Sequence, residues 1–279
     1  MEKQLEFVSL RSDTTFKYLF KTEKGRLWFE DLILHTTGLD ITEYELYDNE
    51  LNSGNNKKDY RLDILLKNKD ADYIVIEMNN TSKNQSIKAR YYLYRVAGKK
   101  FNEGKNYKET KNILIMFNNY RNELIKDLKI ANYTLNDKIN NIEVNDIDIH
   151  EIYLPNYKKL CYDKLNEAEK KLYLFNCESF KEMKSLNLSN EDRYIVEELW
   201  RLSMDDKFYD DYDAEHVNKM LINTEHMTGY EEGLEKGIEQ GSKDTSIEIA
   251  KKMLMNNEPV EKISNFTNLS INEIEKLVL

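Results

Sequence analysis

Two neighbouring apolar segments, residues 61–67 and 73–79, give the most informative hydrophobic pattern of the chain. Each is typical of a β-strand, and the turn-like residues 68–71 lie between them. Each segment carries one acidic residue, Asp63 or Glu77, where an apolar residue is expected. In a hairpin centred on that turn, paired positions sum to about 140. The pattern therefore predicts that Asp63 lies opposite Glu77, and that Asn79 lies on the same face.

The rest of the pattern predicts a mixed α/β core followed by helices. Helices are expected over residues 13–37, 83–102, 160–184, 191–204 and from 216 onward, strands over 44–51, 112–117 and 147–154, and a loop over 205–213. We therefore divide the chain into an α/β domain over 1–157, a helical extension over 158–225 and a charged helical tail over 226–279.

Glycine recurs every four residues in the charged tail, at Gly229, Gly233, Gly237 and Gly241. On a helix, this spacing forms one face that allows a second helix to approach closely. Each glycine also lowers helix stability by about 1 kcal/mol relative to alanine. The pattern thus leaves two interpretations open: a helix that forms a homo-oligomer, or a solvated linker.

The composition favours a globular protein. Of the 279 residues, 40% are hydrophobic and 33% are charged, and there is no apolar run of the length of a membrane span. Cys161 and Cys177 lack the spacing of a metal site. These features predict a cytoplasmic protein that does not enter a membrane.

The charge distribution is uneven. The net charge of −10 argues against a nucleic-acid partner. Residues 83–111, however, contain nine basic and two acidic residues, a local charge of +7. Because local charge decides where a phosphate backbone docks, this stretch is a candidate DNA-binding surface. A solvated lysine-rich helix is the alternative.

The expected neighbourhood of Asp63 and Glu77 points to metal chemistry. Two carboxylates held close together need a proton or a cation to relieve their repulsion, and a hard divalent metal suits oxygen ligands. Such a metal can activate water and stabilise charge on a phosphate oxygen. The residues expected to contact a DNA backbone are Gln85, Lys88, Arg90 and Tyr91 on the first turns of the following helix. The combination suits phosphodiester hydrolysis, although two exposed acids in an ordinary hairpin would give the same pattern.

Several motifs resemble one known family. Asp63 with Glu77-Met78-Asn79 resembles the PD-(D/E)xK nuclease signature. Residues 59–65 and 76–78 resemble the recombination-promoting nuclease (Rpn) family, also labelled PD-(D/E)xK family transposase. The further stretches that resemble this family are Asp13-Thr14-Thr15-Phe16-Lys17-Tyr18-Leu19-Phe20, Arg90-Tyr91-Tyr92, residues 232–237 and residues 269–274.

The resemblance implies a restriction-endonuclease-like α/β fold and Mg²⁺-dependent cleavage of DNA, with Mn²⁺ as a substitute, and a link to recombination or mobile elements. By this analogy Asp63 and Glu77 are catalytic metal ligands, and Asp13 is a supplementary acidic residue. Asn79 occupies the third catalytic position, which is lysine in the superfamily and commonly glutamine in this family.

Asn79 leaves the level of activity open. It could orient the attacking water, or it could mark a catalytically weakened protein that binds DNA or assembles while retaining the nuclease fold. A purely structural α/β domain with an oligomerising helical tail is a third hypothesis.

Overall fold

The structure is a computed structural model that describes residues 7–47, 50–51, 60–99, 110–121, 126–137, 139–140 and 142–277. The chain divides by packing into two compact units, Met1–Glu215 and His216–Leu279. The first unit holds the mixed α/β architecture that the hydrophobic pattern predicts, and the second is helical.

The first unit is built on a six-stranded mixed sheet with strand order β1-β4-β5-β6-β8-β7. Its strands are β1 (Glu45–Leu46), β4 (Ile64–Lys67), β5 (Tyr73–Asn79), β6 (Asn112–Asn118), β7 (Ile130–Asp137) and β8 (Ile142–Tyr153). Strands β5, β6 and β8 run parallel, and the outer pairs are antiparallel. The short strands β2 (Glu50–Leu51) and β3 (Tyr60–Arg61) pair with each other in a separate antiparallel ladder.

Strand β6 lies inside the sheet, between β5 and β8, and five of its seven side chains are apolar. All seven of its residues are buried, as expected for a parallel strand covered on both faces. Ile113, Ile115 and Phe117 belong to one hydrophobic cluster, whereas Leu114 and Met116 belong to another on the opposite face.

Ten helices are described. In chain order they are α1 (Asp13–Lys21), α2 (Glu23–Thr37), α3 (Ser86–Lys99), α4 (Pro155–Lys158), α5 (Glu167–Leu174), α6 (Phe180–Lys184), α7 (Asn190–Leu202), α8 (Asp206–Met255), α9 (Val260–Thr267) and α10 (Ile271–Glu275). Side chains of α1, α2, α5, α6 and α7 share the larger cluster with one face of the sheet. Helix α3 contributes to the cluster on the other face. The larger cluster includes Tyr157, Phe175 and Leu199, so the core contains residues on both sides of position 157.

The single helix predicted over residues 13–37 is wrong, because Thr22 divides it. Thr22 has an extended backbone, and its hydroxyl donates to the carbonyl of Leu19 and accepts the N–H of Gly25. A Cβ on Gly25 would lie 2.1 Å from the Leu19 carbonyl oxygen. Glycine is therefore needed where the start of α2 approaches the end of α1 so closely. Gly38 ends α2 in a left-handed conformation with φ of 78°, as its position predicts.

Other predicted boundaries also need correction. The strand predicted over 44–51 is observed as β1 and β2, with residues 48–49 outside the described residues. The helix predicted from residue 83 begins at Ser86, and its predicted end at 102 lies outside the described residues. The helix predicted over 160–184 is observed as a 3₁₀ turn, α5 and α6. The loop predicted over 205–213 is wrong, since α8 begins at Asp206.

Strand β7 was not expected from the sequence. Residues Asn132–Asn136 are exposed, so β7 lacks the apolar run that identifies β6. It pairs antiparallel with β8, with a shift of register between Thr134 and Leu135. Tyr133 and Leu135 are each 48% exposed. Strand β7 is therefore stabilised by its pairing with β8. Strand β8 begins at Ile142, five residues before its predicted start at residue 147.

The second unit packs the end of α8, α9 and α10 around a small cluster of Ala250, Ile263, Leu269 and Ile274. Ser270 and Glu273 form a capping box at the start of α10. Gly233, Gly237 and Gly241 lie in α8, and an added Cβ at any of them would meet nothing within 4 Å. The homo-oligomer hypothesis thus stays a prediction. Among the described residues, no helix has the length and apolar character needed to cross a membrane.

Candidate active site

The β4–β5 hairpin brings the two acidic residues together. The ladder pairs Ile64 with Ile76 and Leu65 with Val75, so the register predicted from the turn is confirmed. Asp63 immediately precedes the first pair, and Glu77 immediately follows it. Asp63 is 7% exposed and Glu77 is partly buried. Each carboxylate therefore sits at the end of a rigid ladder rather than in a solvated loop.

Two hydrogen bonds from backbone N–H groups hold the carboxylates of Asp63 and Glu77 across the hairpin. The N–H of Asp63 donates to Oε1 of Glu77 at 3.2 Å. The N–H of Met78 donates to Oδ2 of Asp63 at 2.9 Å. Each carboxylate is thus oriented by a backbone group of the opposite strand, which fixes both side chains at the same point of the sheet.

The charge on this pair is only partly compensated. Burial raises the pKa of Glu77 well above its usual value, and the negative charge of Asp63 raises it further. The hydrogen bond from Asp63 and the positive charges of Lys88 and Lys17 lower this pKa, but they do not cancel the increase. The two acids therefore form a site at which an added cation is favourable.

Helix α3 brings Lys88 and Tyr92 close to the carboxylates. Lys88 Nζ lies 5.5 Å from the centroid of the Tyr92 ring. Burial raises the pKa of Tyr92, and the charges of Glu77 and Asp63 raise it further, while Lys88 lowers it. Lys88 itself is exposed. Of the residues predicted to contact DNA, Lys88 is thus close enough to act on the acidic pair.

The other predicted DNA contacts lie along the same helix. Gln85 directly precedes α3, and its carbonyl accepts the N–H of Ala89 at 3.1 Å. Tyr91 is 43% exposed, and its neighbours Tyr94 and Ile87 are more exposed, at 54% and 84%. The structure therefore places Tyr91 on the outer face of α3, where it is accessible to a partner.

Arg90 faces a buried acid that the sequence did not single out. Its Nη2 lies 3.9 Å from Oε1 of Glu151, a residue of β8 that is 2% exposed. Tyr153 donates to Oε2 of Glu151 at 2.6 Å. The sheet register places Met116 between Glu77 and Glu151 on one face, so these two acids lie two strands, or about 10 Å, apart. Arg90 thus compensates a second, separate carboxylate.

The amide of Asn79 is engaged by the loop before α3. Its Nδ2 donates to the carbonyl of Lys83 at 3.0 Å and to Oδ1 of Asn118 at 3.1 Å. Its Oδ1 accepts the hydroxyl of Thr81 at 2.8 Å and the N–H of Thr81 at 3.2 Å. Asn79 thus stabilises the loop of residues 81–83, and α3 begins after this loop, at Ser86. Its catalytic role stays a prediction.

We expect Asn79→Ala to lower the free energy of unfolding by about 1–3 kcal/mol, because the substitution leaves buried polar partners unsatisfied. Urea unfolding followed by circular dichroism measures the change. Ser82→Ala is the matched control, since Ser82 lies exposed in the same loop. Equal stability of the two variants would contradict the structural role of the Asn79 amide.

Helix α1 contributes Lys17 to the surroundings of the acidic pair. Lys17 Nζ lies 2.8 Å from Oδ1 of Asp63. Asp13 lies one turn earlier on the same helix, and residues four apart share a face. Ser12, not Asp13, supplies the N-cap of α1, since its side chain accepts the N–H of Thr15. The supplementary role of Asp13 stays a prediction.

Three residues around the acidic pair were not predicted as site residues: Lys17, Tyr92 and Glu151. The sequence signal for Lys17 was its place in the motif of residues 13–20.

The residues present fit a hard divalent cation that takes few ligands from the protein. The donors are carboxylate oxygens, and burial together with the negative charge of Asp63 raises the pKa of Glu77. Mg²⁺ is commonly held by one or two carboxylates together with water and substrate phosphates. Within the described part of the chain, no group of three or more His, Cys, Asp and Glu side chains could hold a metal ion.

Comparison with known proteins identifies the family. The family model described as PD-(D/E)XK nuclease family transposase matches residues 10–225, a region that includes α1, the acidic hairpin and α3. Searches of curated proteins and of solved structures found no significant match. The match confirms the resemblance noted in the sequence, and with it the α/β fold class of these nucleases. Since the matched region covers well over half of the 279 residues, the chain belongs to the PD-(D/E)XK nuclease family transposases.

Proposed function

We propose that this protein is a metal-dependent endonuclease that hydrolyses phosphodiester bonds of DNA. The observation that carries the proposal is that the carboxylates of Asp63 and Glu77 each accept a backbone N–H from across the β4–β5 hairpin, in a member of a nuclease family. In this assignment Asp63 and Glu77 would hold Mg²⁺, with Mn²⁺ as a substitute. The metal would supply Lewis acidity to the phosphate and to the attacking water.

The protein's own residues would position the DNA. The backbone hydrogen bonds keep both carboxylates at one point of the sheet, so they need no reorganisation when a phosphodiester arrives. Lys88 would attract the scissile phosphate, while Gln85, Arg90 and Tyr91 would contact the backbone from α3. Water would attack phosphorus, and the bond from phosphorus to the leaving oxygen would break. Tyr91 is 43% exposed and would lie against sugar or base.

A plasmid-nicking assay tests the activity. Supercoiled plasmid incubated with the protein and Mg²⁺ should become nicked or linear, and EDTA should prevent this. Mn²⁺ should restore cleavage after chelation and removal of Mg²⁺. Cleavage that EDTA does not diminish would contradict a metal-dependent mechanism.

The second candidate is a DNA-binding or assembly protein that has lost turnover. The feature that favours it is Asn79, because its amide is engaged by Thr81, Lys83 and Asn118 and carries no positive charge. DNA binding that weakens with rising salt, without cleavage under Mg²⁺ or Mn²⁺, would favour this candidate. The link to mobile elements follows from the family description; homo-oligomerisation through the C-terminal helices and a cytoplasmic location stay predictions.

A further inference from the structure

The side chain of Lys17 is held in direct contact with one of the proposed metal ligands. Its Nζ lies 2.8 Å from Oδ1 of Asp63, and its side chain is only 21% exposed. The neighbouring side chains Phe16 and Phe20 are buried in the main core and fix α1 against the sheet. The packing of α1 against the sheet therefore positions the ammonium group of Lys17 beside Asp63.

Position 79 does not provide a cation in this chain. Asn79 is neutral, and its amide is occupied by the loop of residues 81–83 and by Asn118. Lys88 acts on Glu77 from α3 but is exposed. Between these two lysines, Lys17 is the one for which a direct ion pair with the acidic hairpin is observed.

We propose that Lys17 is the charge-supplying residue of this site and an exchangeable counter-ion of Asp63. In the metal-free protein its ammonium group neutralises Oδ1 of Asp63. When a divalent cation binds Asp63, the ammonium group releases Oδ1, remains protonated and becomes available to the scissile phosphate. The second part of this proposal rests on the proposed nuclease function, whereas the first part concerns metal binding alone.

This arrangement has an unusual consequence for Lys17→Met. The ammonium group competes with the metal for one carboxylate oxygen, so its removal should tighten binding of Mn²⁺ by about 5- to 10-fold. The same change should slow DNA cleavage at saturating metal by about 10-fold or more, because developing negative charge on the phosphate loses a cation. A merely structural role of Lys17 would not move these two quantities in opposite directions.

The test measures Mn²⁺ binding without DNA by electron paramagnetic resonance, and single-turnover nicking at saturating Mn²⁺. The variants are Lys17→Met, Lys17→Gln and Lys17→Arg, with Lys21→Met as the matched control, since Lys21 is exposed one turn later on the same helix. Lys17→Arg and Lys21→Met should bind Mn²⁺ within about 3-fold of the wild type. Circular dichroism verifies folding, and Lys17→Gln replaces Lys17→Met if the latter does not fold.

The outcomes separate this proposal from the proposed function. Unchanged or weaker Mn²⁺ binding by folded Lys17→Met and Lys17→Gln overturns the counter-ion role, and so does the absence of Mn²⁺ binding by every variant. Tighter binding with unchanged cleavage overturns the role toward the phosphate. Tighter binding in a protein whose wild type does not cut DNA supports the counter-ion role and rejects the nuclease assignment.

Discussion

Asp63→Asn should lower the rate of Mg²⁺-dependent DNA cleavage by about 100-fold or more. Asparagine can still accept the hydrogen bond from the N–H of Met78, so the hairpin is expected to remain in place. The substitution removes the negative charge that would hold the metal, and a metal's charge stabilisation of the transition state is worth several kcal/mol. Single-turnover nicking of supercoiled plasmid at saturating Mg²⁺ measures the effect.

The control for this experiment is Asp70→Asn. Asp70 is exposed in the turn of the same hairpin, at the end away from the acidic pair. Its substitution should leave the cleavage rate within about 2-fold of the wild type, since surface substitutions away from special features have small effects. If Asp63→Asn cleaves DNA as fast as Asp70→Asn does, Asp63 is not a metal ligand of this reaction.

Glu77→Gln should make the metal-free protein more stable at neutral pH, by about 1–3 kcal/mol. Because burial and Asp63 raise the pKa of Glu77 in the folded protein, the folded state favours the protonated acid. The stability that protonated Glu77 gives to the folded protein is fully present below the unfolded pKa of about 4.3. It is lost as the pH rises through the higher folded pKa. Because glutamine is neutral at every pH, the Glu77→Gln variant keeps this stability as the pH rises.

Thermal unfolding between pH 4 and pH 8 in EDTA measures this difference. The advantage of Glu77→Gln over the wild type should grow with pH. Glu198→Gln is a matched control of opposite sign, because hydrogen bonding by Arg201 lowers the pKa of Glu198. Addition of Mg²⁺ should stabilise the wild type and not Glu77→Gln. A stability difference that is independent of pH would refute the electrostatic explanation.

The acidic pair could be predicted from the sequence because its geometry is local. A short turn sets the register of a hairpin, and the period of two sets the face of each side chain. The position of the turn at residues 68–71 is therefore sufficient to predict that Asp63 and Glu77 lie opposite each other. The same reasoning identified β6, whose continuous apolar run is typical of a buried parallel strand.

The remaining features depend on contacts between distant segments. The pairing of Lys17 with Asp63 and of Arg90 with Glu151 joins residues far apart in the chain, which periodicity does not reveal. Hydrogen bonds by Thr22 and Asn79 override helical patterns that would otherwise continue. Strand β7 has largely exposed side chains, so its sequence carries a weak hydrophobic signal.

The register shift in β7 has a consequence for how this protein behaves at high concentration. Strand β7 ends the six-stranded sheet and exposes Tyr133 and Leu135. A flat strand at such a position is a template onto which another polypeptide can polymerise. The bulge between Thr134 and Leu135 twists this rim locally and so discourages aggregation. A β7–β8 ladder without this irregularity would leave the rim open as a nucleus for fibrils.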